Sequence, residues 1–222
     1  MGFRVSLYCL WALIAISLSL LQAGLNSENT TRILVLLLLL LLGTTHQSWV
    51  QIFSAVPPRR RFVLLGCIMA SLVEGFHMIS HPVFEKLRIT PELPIYQGLI
   101  HYGVDLIFTL PAYALIFVVI WFFINRYTYT FWQYFWMMGL AQTLGDGGLI
   151  YFMSSPYMLF FLPYPMSNYH AINLIPFLAV RDQLKPERKP SPKAFLVIPT
   201  IIGTYLFCGT IIKMIGKMYG LE

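Results

Sequence analysis

Charged residues are scarce in this chain. Only 11% of its 222 residues are Asp, Glu, Lys or Arg, while 58% are hydrophobic. A soluble domain carries about a quarter charged residues, so no soluble domain fits beside the apolar body. Cysteine is scarcer still. Cys9, Cys67 and Cys208 each sit inside an apolar run, without paired spacing. They read as small buried hydrophobes and argue against a quinone-linked disulfide enzyme or a cysteine zinc site. Signatures of membrane enzymes are missing too: Gly-x-Ser-x-Gly, His-Glu-x-x-His, an Asp-rich prenyl-diphosphate motif and the His boxes of desaturases. Lys213 lies too near the end of the last apolar run for a retinal Schiff base. There is no internal repeat.

What is abundant is uninterrupted apolar sequence. A membrane span needs roughly 20 mostly apolar residues. About seven segments qualify or nearly qualify: 3–24, 33–56, 62–80, 97–124, 129–153, 157–180 and 194–216. In lipid the backbone must satisfy its own hydrogen bonds, so these runs predict helices. The expected fold is an all-α polytopic membrane protein with about seven transmembrane helices. The Leu-rich run 33–43 reads as lipid-facing.

The net charge of +6 reflects topology, and no nucleic-acid partner is expected. With seven spans, Arg4, the loop 57–61, Arg126 and the loop 181–193 fall on one side and carry ten basic residues; Arg32, Lys86, Arg88, Lys213 and Lys217 make five on the other. The positive-inside rule makes the first side cytoplasmic, with the N-terminus inside and the C-terminus outside. Residues 1–32 form an anchor or signal-like segment, 33–183 the membrane core, and 184–222 a cytoplasmic basic loop followed by an extra terminal span. Asn29-Thr30-Thr31 matches a glycosylation sequon but lies too close to the membrane to be used.

Polar groups at membrane depth are costly and mark function by default. Glu74, His77 and His81 are spaced three and four apart and share one helix face. Entering from Phe62, Glu74 lies roughly 18 Å in. His101 and Asp105 share a face of the next segment, with Asp105 about 12 Å below the outer surface, near the depth of Glu74. Gln142 and Asp146 share a face of the fifth, and Asn168, Tyr169, His170 and Asn173 fall on the sixth. Set against these readings, His81 precedes Pro82 and suits an interface, His101 is near a helix end, His46 reads as a lone buried histidine bonded to a neighbour, and Asp146 in "LGDGGL" could bond freed backbone groups. Glu74 and Asp105 at matched depth predict a shared pocket with His77 and Asp146 on its wall. Glu74-x-x-His77 has the spacing of a di-iron ligand pair, but the required second pair is absent. No metal or other cofactor is expected.

Three stretches carry a family likeness. "RRRFVLLGCIMASLVEGF" (59–76), "AQTLGDGGLIYF" (141–152) and "NYHAINLIPFLAVRD" (168–182) resemble, in order and spacing, the core helices of the emopamil-binding protein family, the EXPERA fold. The likeness covers roughly residues 33–183 and implies a core of four to five helices. That family includes sterol isomerases, which move a ring double bond by adding and removing protons, and sigma-two-type receptors, which bind sterols and cationic amphiphiles. The resemblance implies that Glu74 and Asp105 are the acid–base and cation-stabilising carboxylates and that Asp146 and Gln142 orient them. This chain departs from the isomerase pattern at three places. Ala70 stands where a His is expected, Ile172 where a Trp is expected, and Tyr169 in place of an Asn, with Asn168 adjacent.

The chemistry can be stated without the family. Moving an isolated double bond needs a carboxylic acid that keeps its proton near neutral pH, which burial in low dielectric supplies. It also needs negative charge or aromatic faces for the carbocation, and 16% of the chain is aromatic. Three functions follow as expectations: a membrane isomerase or cyclase acting on a sterol or terpenoid; a non-catalytic binder of sterols, lipids or amines on the same fold; or a metal-dependent lipid hydrolase or accessory subunit. The partners expected are the lipid bilayer and a sterol or terpenoid. His101, Gln142, Asn168, Tyr169, His170 and Asn173 are the candidate ligand-binding residues. The expected location is an integral membrane site, the endoplasmic reticulum in a eukaryote. The sequence leaves the oligomeric state open, a homodimer included.

Overall fold

The computed structural model describes residues 3–184 and 191–221. Residues 185–190 of the basic loop 181–193 therefore lie outside the described residues. The architecture is all-helical, with no strand among the described residues. Helix α1 (Phe3–Ala23) stops at Gly24, whose φ of 62° gives the left-handed turn that ends helices. Helix α2 (Ser27–Ile52) starts where the Asn26 side chain accepts the Asn29 N–H at 2.8 Å. Pro58 opens α3 (Pro58–His77), a position where the missing N–H costs nothing. Helix α4 (Ile95–Arg126) runs 32 residues and carries Pro111 inside it. A capping box between Thr130 and Gln133 starts α5 (Phe131–Thr143). The fifth apolar segment then breaks: "LGDGG" (144–148) forms a π-type turn before the short α6 (Leu149–Ser154). Pro163 starts α7 (Pro163–Val180), and α8 (Val197–Met218) completes the chain.

Five of these helices close into a ring. Helix α7 packs on α3, α3 on α4, α4 on α8, α8 on α5, and α5 back on α7. Outside the ring, α2 lies against α7 and α3, and α1 against α7. Every residue of α7 except Pro165 and Leu178 is buried. This explains how a helix carrying Asn168, His170 and Asn173 is tolerated: its polar groups meet protein. Tyr134 stacks on Phe177 at 3.9 Å, fixing α5 to α7. The last helix, set apart from the core by its sequence, supplies one side of the ring.

All seven predicted segments are helical, but the count of seven spans is not met. Three helical stretches are long and apolar enough to cross a membrane: Ser27–Ile52, Ile95–Arg126 and Pro192–Met218. Helix α1 offers a shorter apolar stretch, Leu7–Ala23. The reasons the others fall short are local. Three Arg residues open α3 and Glu74 and His77 close it, "LGDGG" divides the fifth segment, and Pro163 shortens the sixth. On the three long stretches, apolar side chains such as Leu40, Ile107 and Phe207 are exposed at 68%, 71% and 60%. Surfaces of this kind are matched to lipid rather than water.

The second segment also begins earlier than its composition indicates. Because Asn26 caps the helix, Arg32 lies inside α2 and is buried instead of marking a loop. Asn29 of the sequon is buried as well. It accepts the Tyr164 hydroxyl at 2.6 Å and donates to the Gly24 carbonyl at 2.6 Å, so its side chain is not presented to a transferase.

Candidate functional site

A partly open cavity of about 980 Å³ lies between the ring and the outer helices, lined by α1, α2, α3, α4, α6, α7, α8 and the "LGDGG" turn. Its walls are mostly apolar, with Val73, Ile116, Phe152 and Ile172 among them. From α3, Glu74 and His77 face it on the shared stripe their spacing predicts. The Tyr113 hydroxyl of α4 donates to Glu74 Oε1 at 2.6 Å. His77 Nε2 accepts the Asn168 amide of α7 at 2.7 Å. The polar stripe of α3 is thus held by a partner from each neighbouring helix of the ring.

Asp146 reaches the same cavity because the helix is broken there. Its φ and ψ of −84° and 43°, followed by Gly147 at φ 90°, swing the backbone out of the helical path. Tyr169 donates to Asp146 Oδ2 at 2.5 Å. Gly145 lets α8 come close, since a Cβ there would lie 2.8 Å from the Tyr205 Cβ. Tyr205 in turn donates to Gln142 Oε1 at 3.2 Å. Asp146 therefore does more than bond freed backbone groups: its carboxylate is an acceptor in the cavity wall.

The remaining sequence candidates divide. Asn168 and Tyr169 line the cavity. Asp105 does not line it: Oδ1 accepts the Val83 N–H at 2.8 Å, so the carboxylate holds the loop after α3 against α4. Depth along a helix fixed its level but not its direction. Gln142 is fully buried behind Tyr205, and His101 Nδ1 donates to the Leu87 carbonyl at 3.2 Å. His170 stacks on Phe135 at 3.8 Å and meets the Tyr8 hydroxyl at 3.3 Å, which makes it a joint between α1, α5 and α7. Asn173 accepts the Tyr134 hydroxyl at 3.1 Å and donates to the Tyr169 carbonyl at 2.7 Å, a role in packing. His46 is half-buried and bonded to the Gly43 carbonyl at 2.8 Å. His81 lies at the cavity mouth, 3.7 Å from the Glu28 carboxylate. That carboxylate holds the His81 pKa above the ordinary imidazole value, against the smaller opposing effect of burial.

Sequence reasoning missed three residues of the wall. Tyr113 and Tyr205 are two of 13 tyrosines in an aromatic-rich chain, and nothing in their spacing singles them out. Arg32 was read as a topological charge, yet it is 4% exposed and lines the cavity. The usable signal was the N-cap pattern Asn26-Ser27-Glu28, which places Arg32 inside a helix. Among the described residues, no group of three or more His, Cys, Asp or Glu side chains is arranged to hold a metal ion.

Comparison with protein-family models, with curated proteins and with solved structures finds no match to this chain. The likeness to the emopamil-binding proteins rests on the three quoted stretches alone.

Proposed function

We propose that the chain is a multi-pass membrane protein whose cavity binds a sterol or terpenoid and moves or closes its double bonds by proton transfer. Helices α2, α4 and α8 meet lipid, and α3 and α7 cross within their shelter. The basic loops face the cytoplasm, and in a eukaryotic cell the membrane is that of the endoplasmic reticulum. One observation carries the reading. Two carboxyl groups, Glu74 of α3 and Asp146 of the "LGDGG" turn, each take a tyrosine hydroxyl and face one mostly apolar cavity. Its volume of about 980 Å³ suits a ligand of sterol size, since small-molecule pockets run to about 1,000 Å³.

The reaction balances without a cofactor. Tyr113 occupies Glu74 Oε1, leaving Oε2 to carry the proton. Transfer of that proton to one alkene carbon forms a C–H bond and leaves a cation on the neighbouring carbon. The faces of Tyr113, Tyr169 and Tyr205 and the Asp146 carboxylate stabilise it. Asp146 then removes a proton from the carbon beyond, the double bond reforms one position along, and exchange with water takes the proton from Asp146 and restores one to Glu74. In a cyclase a second double bond captures the cation before that loss. This assignment gives Asp146 the role that the family likeness gives Asp105. The test is mass spectrometry of lipid extracted from the purified protein before and after incubation. A sterol or terpenoid found as two double-bond isomers, interconverted by added protein, is expected; absence of any such lipid would count against the reading.

A second reading has its own support. Ala70 is packed in the core and Ile172 is apolar on the cavity wall, where isomerases of the resembled family use His and Trp. A binder of sterols, lipids or amines on this fold would retain the cavity and lose the chemistry. Bound lipid without interconversion would favour it.

A further inference from the structure

One end of the cavity carries a buried arginine, with Glu28 beside it, that proton transfer does not use. Arg32 is buried, with 5% of its side chain exposed, and lines the cavity. Its guanidinium lies over the Tyr164 ring, 4.4 Å from the centroid. Nε and Nη1 are buried without a hydrogen-bond partner among the described residues. Its one acidic neighbour by ion pairing among the described residues, Glu28, is 3.8 Å from Nη2, is 47% exposed and is shared with His81 at 3.7 Å. An arginine keeps its charge in proteins, and a buried cation whose counter-charge is half exposed and shared is only partly compensated. The fold nevertheless fixes it there. Thr31 donates to the Phe76 carbonyl at 3.0 Å, which docks this turn of α2 beside His77. Asn168, next to His77, also has its Oδ1 buried and unpartnered among the described residues. Arg32 lies about 7–8 Å into α2 from Ser27, a depth an amphiphile's head group can reach from the membrane surface.

We infer that Arg32 binds the anionic head of an amphiphilic ligand, a phosphate or carboxylate, while the apolar body occupies the cavity toward Glu74 and Asp146. Guanidinium is the side chain best matched to these planar or tetrahedral oxyanions, and His77 and His81 lie on the same wall. This narrows the proposed substrate to an acidic terpenoid or lipid and rests on the reading of the cavity as the ligand site. The same anion chemistry can be brought by a free isoprenoid phosphate or by the head group of a bilayer phospholipid.

The test uses the full chain purified in a neutral detergent, with binding read from the ligand-induced rise in unfolding temperature. The probes are farnesyl monophosphate, farnesol, phosphatidic acid and inorganic phosphate. Farnesyl monophosphate or phosphatidic acid is expected to bind at least about tenfold more tightly than farnesol, the least that one charge-assisted contact supplies; whichever binds more tightly identifies the source of the head group. Inorganic phosphate alone is expected to bind at least about tenfold more weakly than either, because it lacks the apolar body. Arg32→Gln should abolish the preference while farnesol binding persists, and Arg32→Lys should restore part of it. Equal binding of farnesol and both acidic probes to the unaltered chain overturns the inference without any variant and leaves the cavity reading intact. Persistence of the preference in Arg32→Gln overturns it as well. Failure of all the amphiphiles to bind overturns both this inference and the cavity reading.

Discussion

Two tyrosines hold the two cavity carboxyls. Tyr113 donates to Glu74 and Tyr169 to Asp146, at 2.6 and 2.5 Å. Each phenol fixes one carboxyl oxygen and leaves the other for a ligand. Tyr113→Phe removes a hydrogen bond that strengthens as Glu74 gives up its proton, when its acceptor becomes charged and the bond is worth about 1.5–3 kcal/mol. The expected outcome is turnover lowered by about tenfold to a hundredfold with lipid retention unchanged, checked by rate measurement and lipid extraction on the same preparation. His81 gives a pH test. Its folded-state pKa is raised by Glu28, so its contribution is full below the unfolded value of about 6.5 and is lost as pH rises through the folded value. His81→Gln should lower the unfolding midpoint by about 1–3 °C near pH 5.5, in keeping with an exposed pair, and leave it unmoved near pH 9. At this scale Glu74, His77 and Asp146 were legible, because acids and histidines are rare in apolar runs and each is costly there. Asp105 was legible as buried but not as a loop anchor, since its partner is a backbone N–H 22 residues away. Arg32 and Tyr113 were hidden for opposite reasons: one looked like a boundary charge, and the other was one aromatic among many.

The element that positions the second carboxyl is a break in a helix. "LGDGG" was legible as a glycine-rich interruption, but its hydrophobic surroundings made the segment read as one span. What decided the structure was backbone freedom at Gly147. Its φ of 90° is a conformation that side-chain-bearing residues rarely adopt, while no atom lies within 4 Å of where a Cβ would sit. Gly147→Ala therefore isolates backbone strain of about 1–2 kcal/mol from any clash. The expected outcome is a fall of about 2–8 °C in the unfolding midpoint, together with loss of activity, because Asp146 is turned off the wall; circular dichroism melts and turnover assays check the two separately. Helices α2, α4 and α8 were legible as long apolar runs. The interior position of α7 was not: Asn168, His170 and Asn173 set it apart from them, but its burial on every side arises only from the neighbours that surround it.

For the whole molecule, the question is which helices cross the bilayer. Helix α3 is not among the three stretches that qualify on length and apolarity, yet it carries Glu74 and sits inside the ring. If α3 crosses, Arg59 in its first turn and Glu92 after it, both exposed, face opposite sides. Single Arg59→Cys and Glu92→Cys variants, with Cys9, Cys67 and Cys208 replaced by Ser, should react with a membrane-impermeant maleimide from opposite sides, Arg59→Cys from the cytoplasm. Labelling of both from one side would remove α3 from the bilayer and with it the proposed membrane depth of the cavity. The central claim is narrower: Glu74 delivers a proton to carbon in a bound lipid. Its most direct measurement is deuterium incorporation, in heavy water, into the lipid that co-purifies with the chain, compared between the unaltered protein and Glu74→Gln. The amide keeps the shape and the Tyr113 contact but has no acidic proton to give. Deuterium is expected at the carbon that the double bond leaves in the unaltered protein, with a loss of about a hundredfold or more in Glu74→Gln and the lipid still bound. Equal incorporation by both proteins would contradict it.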